Sequence, residues 1–168
     1  MICRDELCKI YKQAFGSSEP FDTLLFEAFG DCIESLKDVN GRELSMLFKI
    51  PCTLHIGSIS KKIYYIYAAA TAVDCRGRGY MKKLILRVLK TSDAPLFLKP
   101  ATRDLVKFYR SLGFSCIAAG SDGQAEITVN QKQKQLSKYC ESCKNDYILM
   151  FSKPPCGVNK IKFSEIME

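Results

Sequence analysis

The chain has 168 residues, enough for one domain with a full core and too few for two ordinary ones. Hydrophobic content of 47% and charged content of 26% are those of a soluble globular protein, and the longest apolar run, Ile63 to Val73, is too short to span a bilayer. Net charge is +7, spread along the chain and not gathered into one arm or helix face, which reads as a solvated basic surface and argues against a nucleic-acid interface.

Nine cysteines, odd in number and scattered, fit reduced thiols better than a disulfide framework. No basic-then-apolar leader precedes the first helix, so a cytoplasmic location is expected.

In chain order, Asp5 to Phe15 sets Leu7, Ile10, Tyr11 and Phe15 at helical spacing. Gly16 to Pro20 breaks that helix, and Phe21 to Phe29 predicts a second, apolar through Leu24, Leu25 and Ala28. Cys32 to Val39 and Glu43 to Ile50 flank Asn40-Gly41, a strong two-residue hairpin signal. Pro51 predicts an interruption of the ladder at an edge or bulge. Thr53 to Ile56 and Lys62 to Thr71 then predict a second strand pair across a Gly57–Lys61 turn.

A helix from about Gly79 to Lys90 carries a stripe of Met81, Leu84, Ile85, Val88 and Leu89, with Lys82, Lys83, Arg87 and Lys90 facing water. A strand at 95–99 and a helix at 102–112 follow, with Thr102 as N-cap, Asp104 in the first turn and Gly113 as the stop. Ser115 to Ala119 and Asp146 to Phe151 read as final strands. The polar stretch 120–145 reads as a long variable connection, helical near Lys132–Tyr139, and the tail after Pro154-Pro155 as loosely held. Strands grouped early and then strand–helix–strand–helix–strand predict a single α/β domain over 1–168, its core about 5–151, around one mixed sheet.

The most informative segment runs from Tyr64 to Leu84. A strand ends at Thr71, and a basic turn, Arg76-Gly77-Arg78-Gly79-Tyr80-Met81, opens directly into the helix. That order leaves unpaired N–H groups at a helix start, where phosphate oxygens bind. Gly77 and Gly79 permit positive φ and close approach of a ligand to the main chain. No Gly-Lys-Ser/Thr follows, so the turn is not a Walker loop, and Lys82 stands where a Rossmann turn needs its third glycine.

The turn resembles the acyl-CoA pyrophosphate loop of the GNAT superfamily of N-acetyltransferases, Arg/Gln-x-x-Gly-x-Gly/Ala, with Met81 in place of the last Gly or Ala. A second match is Tyr109-Arg110-Ser111-Leu112-Gly113-Phe114, the family's Tyr-x-x-x-Gly-Phe, at the end of a helix opened by Thr102 where the family often has Asn. A softer third match is the hairpin from Ser45–Phe48 to Ile66-Tyr67. Together they cover roughly residues 5 to 151.

The resemblance implies a mixed sheet in which two parallel strands splay apart to admit pantetheine, flanked by helices. It implies direct transfer of an acetyl group from acetyl-CoA, a cosubstrate, to an amine acceptor; the alternative is a module of the same fold that binds acyl-CoA without turnover, as a sensor or regulator. The main chain of Ala69, Ala70 and Thr71 would pair with pantetheine and the thioester carbonyl. Arg76, Gly77, Arg78, Gly79, Tyr80 and Met81 would cradle the pyrophosphate, with Thr102 as a further cofactor contact, and Tyr109 would protonate the departing thiolate.

No metal and no membrane partner are expected, and homodimerisation is left open. Between His55 and Asp74 there is no carboxylate, so the base is not legible. A lone histidine such as His55 is more often structural than a base, Glu27, Asp31 and Glu43 are further candidates, and a water relay or an amine already neutral would serve instead. Cys140-x-x-Cys143 has metal-like spacing but no second pair. Tyr64, Tyr65 and Tyr67 alternate on a strand and read as packing, with one face available to an acceptor groove.

Overall fold

Asp38 makes the first hairpin. Its Oδ1 accepts the N–H groups of Asn40 and Arg42 at 2.8 and 3.0 Å, and Gly41 takes the positive φ (83°) that the turn requires. The hairpin joins β1 (Ile33–Lys37) to β2 (Glu43–Ile56), after α1 (Arg4–Phe15) and α2 (Phe21–Phe29). This is a computed structural model, and it describes residues 4–129, 136, 140–142 and 147–166. The chain continues through β3 (Ile59–Thr71), α3 (Tyr80–Thr91), β4 (Leu96–Leu98), α4 (Arg103–Ser111), β5 (Ser115–Ala119), β6 (Ala125–Val129), β7 (Cys140–Ser142), β8 (Tyr147–Phe151) and β9 (Lys160–Ile166).

The described strands form one mixed sheet in the order β1-β2-β3-β4-β8-β5-β9-β6, with β7 beside β9. The β3–β4, β5–β9 and β6–β9 pairs are parallel. β6 also pairs with β2, from Cys52↔Val129 to His55↔Glu126, so β2 to β6 close into a barrel.

Alternation along the strands gives that barrel two apolar faces. Inside, Tyr65 stacks on Phe97 (centroids 4.9 Å apart) and Phe97 on Phe151 (5.5 Å), with Phe163 edge-on to Tyr65 and Phe97. The inner side chains continue into a cluster with Leu7, Ile10 and Tyr11 of α1 and Phe21, Leu25 and Phe29 of α2. Outside, Leu84, Ile85 and Val88 of α3 and Tyr109 of α4 pack on Ile66, Leu96, Leu98 and Met150.

The helices fall where helical spacing predicts them, and Gly113 (φ +92°) stops α4. Three features differ from the sequence expectations. Pro51 does not interrupt the ladder: β2 is continuous and pairs with β3 from Ile56↔Ile59, across a Gly57-Ser58 turn, through Pro51↔Tyr64. On its other side, β2 leaves β1 at Phe48 and meets β6 at Cys52, so the missing N–H of Pro51 falls between the two, where it faces no strand among the described residues. Second, the 120–145 stretch contains β6 and β7; the helix expected near Lys132–Tyr139 lies outside the described residues apart from Leu136. Third, the tail is not loose. β9 inserts between β5 and β6 and buries Ile161 and Phe163 in the barrel.

Candidate active site

At Pro51, where an edge or a bulge is expected, β2 has a locally open side and no bulge; the bulge sits on β3. Met46 pairs with Ala70 and Phe48 with Tyr67, so Leu47 alone opposes Ala68 and Ala69. Ala68 pays for the extra residue with a φ of +48°, uncommon for a side chain with a Cβ.

The bulge changes which main-chain groups face outward. Ala72 N–H donates to Leu44 O at 3.0 Å, and antiparallel ladders alternate, so Ala70 and Ala72 turn toward β2 while Ala69 and Thr71 turn away from it. On that far side β3 holds β4 only at Tyr64↔Leu96 and Tyr65↔Phe97. β4 ends at Leu98 while β3 runs on to Thr71, so the parallel strands part beyond Tyr65 and the edges of Ala69 and Thr71 border the gap. Of the three main-chain candidates, Ala69 and Thr71 therefore present groups to the gap. Ala70 spends its own on β2 and contributes a small, buried side chain.

Two polar contacts fix this end of the strand. Thr71 Oγ1 lies 2.9 Å from Oγ of fully buried Ser45, and Thr71 O accepts Arg76 Nε at 3.2 Å. The chain then makes a single 3₁₀ turn, Val73–Cys75. Arg42 Nη2 grips both carboxylate oxygens of Asp74 at 2.8 and 2.6 Å, and this guanidinium holds the Asp74 carboxyl below its ordinary range.

Beyond that clamp, Gly77 and Gly79 adopt φ of +74° and +76°, and Gly79 is the N-cap of α3. A Cβ at Gly79 would meet nothing within 4 Å, so glycine is required there by backbone conformation and not by space. Lys83 N–H closes the first turn onto Gly79 O at 3.0 Å. The N–H groups of residues 77–82 donate to no acceptor among the described residues, and no side chain caps the helix. No acidic residue occupies its first turn, while Arg76, Arg78, Lys82 and Lys83 are exposed around it. Open donors, a positive helix end and cations fit a diphosphate.

Tyr109 is buried at the end of α4, with ring contacts to Phe108 and Phe114 at 5.1 and 5.8 Å. Burial pushes its phenol up to about 12. It shares the α3-side cluster with Ile66 and Leu98, the side chains flanking the point where β3 and β4 part. Thr102 is the N-cap of α4, its Oγ1 accepting Leu105 N–H at 3.3 Å, which leaves the hydroxyl proton to donate elsewhere.

The structure separates the four base candidates. His55 has Ser60 Oγ and Thr128 Oγ1 each 3.0 Å from a ring nitrogen, and it lies at the far end of β2, about 30 Å from Ser45 at ~3.3 Å per residue. Glu27 and Asp31 are exposed. Glu43 is enclosed, with Lys37 Nζ 2.9 Å from Oε1 in an ion pair and Oε2 without a hydrogen-bond partner among the described residues. Beside it, Glu6 accepts the Glu43 N–H at 3.3 Å and lines a cavity of about 430 Å³ between α1 and the end of β3, with Arg42, Ala72 and Asp74. Sequence reading missed Glu6, because it belongs to no motif and only the packing of α1 across β2 and β3 brings it there. No cluster of three metal-ligating side chains occurs among the described residues, and Cys143 lies outside them.

A mixed sheet whose parallel strands part beside an open glycine-rich helix start is the architecture of an acetyltransferase domain. The chain belongs to the GNAT acetyltransferase family: the family described as "Acetyltransferase (GNAT) domain" matches residues 5–117. No curated protein matches it. Among solved structures it is similar to the GNAT family N-acetyltransferase YhbS from Escherichia coli in complex with CoA, with 12% identity over 98% of this chain and 86% of that one and a TM-score of 0.60. It is also similar to a histone acetyltransferase HPA2-related protein from Corynebacterium glutamicum (14% identity, 92% and 94% covered, TM-score 0.58). A third is a GCN5-related N-acetyltransferase from Kribbella flavida (19%, 68% and 32% covered, TM-score 0.57). The chain thus spans about a third of the Kribbella protein's length. At these identities the likeness is one of fold.

Proposed function

We propose that the protein is an N-acetyltransferase that moves an acetyl group from acetyl-CoA directly to an amine. The observation that carries this reading is the row of open N–H groups at residues 77–82, set beside the gap between β3 and β4. Arg76 to Met81 hold the diphosphate of the cosubstrate, and Thr102 offers its hydroxyl proton from the start of α4.

The edges of Ala69 and Thr71 line up the pantetheine arm and place N–H groups near the thioester carbonyl oxygen, where negative charge develops as the amine attacks. The amine nitrogen forms the new C–N bond and releases its proton to solvent, since no side chain is assigned as base. As the C–S bond breaks, Tyr109 gives its proton to the sulfur and is reprotonated from solvent before the next turnover. Burial holds its phenol protonated at neutral pH, so a proton is present to donate. The family is generally acetyl-CoA-dependent, which supports the choice of acyl donor.

One observation favours a second reading, an acyl-CoA-binding module without turnover. β3 carries no carboxylate, and both nitrogens of His55 are engaged at the distant end of β2. Calorimetric titration with acetyl-CoA followed by a thiol-release assay against a panel of amines decides between them. Binding with thiol release supports the transferase, binding without release against any amine supports the silent module, and no binding rejects both.

A further inference from the structure

We propose that the mouth of the barrel farthest from the glycine loop is a second ligand site, built for a small carboxylate with an apolar tail. There the end of β2, the start of β3 and the chain after β8 enclose a cavity of about 240 Å³. Its floor is Leu54, Ile63 and Phe151, all buried, and its wall is the stretch from Lys153 to Cys156, stiffened by Pro154 and Pro155. Barrel mouths with an apolar floor and a few convergent polar groups are common ligand positions.

The charge at this mouth follows from strand alternation. Leu54 pairs with Lys61, and Lys61 shares a strand face with Ile63, so a cation stands on the inner face at the rim, where the pattern below it is apolar. Lys62 turns outward and is committed: its Nζ lies 2.7 Å from Asp93 Oδ2. Among the described residues, Lys61 and Lys153 have no carboxylate partner and no acidic side chain lines the cavity. Two unneutralised cations over an apolar floor select an anion that carries its own hydrocarbon.

The volume sets the size, with room for about eight groups of ~30 Å³, the share of a water molecule. Hexanoate, with six carbons and two oxygens, is the matching probe. The site lies at the opposite end of β3 from Thr71, so occupancy is independent of the glycine loop.

The test is calorimetric titration of the full chain with hexanoate, with and without saturating acetyl-CoA. Saturable binding of the same strength in both is expected, with hexylamine and hexanol at least about tenfold weaker. In Lys61→Gln/Lys153→Gln, hexanoate binding is expected to fall about tenfold, within the range that two exposed ion pairs supply, while acetyl-CoA binding is unchanged. Both lysines are exposed, and retained acetyl-CoA binding reports that the variant is folded. In the unaltered chain, hexanoate should slow alkylation of Cys156 by iodoacetamide, read by peptide mass spectrometry. Absence of saturable binding, equal binding of hexylamine, unchanged affinity in the double variant, or competition with acetyl-CoA would each overturn the site.

Discussion

Tyr109 keeps its proton because α4 buries it between Phe108, Phe114 and the underside of α3. Its pKa is raised from 10.0 to about 12. Since the folded value lies above the unfolded one, the protonated phenol adds nothing that changes with pH below about 10, and stability is lost as pH rises from there toward 12. Two outcomes follow. Ultraviolet titration should show tyrosine ionisation extending late, toward pH 12, and the amplitude of that late phase should fall in Tyr109→Phe. The same variant should lose about 10²-fold or more in kcat in the thiol-release assay while keeping its affinity for acetyl-CoA; unchanged turnover would remove the donor role.

Gly79 has a different kind of necessity. Its αL backbone leaves room for a methyl group but not the conformation for one, so Gly79→Ala should cost about 1 kcal/mol and weaken acetyl-CoA binding roughly fivefold by calorimetry.

Among the elements, β3 carries the main-chain edges proposed to meet the cosubstrate, and its bulge is the feature that turns Ala69 and Thr71 away from β2. The strain at Ala68 gives a test of opposite sign to most core changes. Ala68→Gly relieves a positive φ and should stabilise the fold by up to about 1 kcal/mol in urea unfolding. β9 is the other decisive element. Phe163 meets Tyr65 and Phe97 edge-on at 5.1 and 5.2 Å, so Phe163→Ala should destabilise the protein by about 3–5 kcal/mol.

These two elements also mark the limit of what the sequence discloses. The helices α1 to α4, the Asn40-Gly41 hairpin, the glycine loop and the Thr102 cap were legible, because each is encoded by local spacing or turn chemistry within a few residues. The bulge was not, since Ala68-Ala69-Ala70 has no turn residue and its extra residue is counted only against Leu47 on the partner strand. The tail looked loose because Pro154-Pro155 punctuates it and the partners of Ile161 and Phe163 lie far away in sequence. Glu6 was hidden for the same reason: its position depends on how α1 crosses the sheet.

For the molecule as a whole, β2–β6 pairing closes the barrel while β3 and β4 part, so the gap proposed to admit a ligand arm lies beside the uncapped start of α3. The net charge of +7 adds a long-range attraction for a polyanion, and raising salt from 0.05 to 0.5 M is expected to weaken acetyl-CoA binding mainly by slowing association, as stopped-flow mixing would record. The most direct measurement is a backbone amide NMR titration of the full chain with acetyl-CoA. If the diphosphate is gripped by the start of α3, the amide signals of residues 77–82 should shift together and saturate in step with the calorimetric isotherm. Saturable binding that leaves those amides unmoved would contradict the assignment.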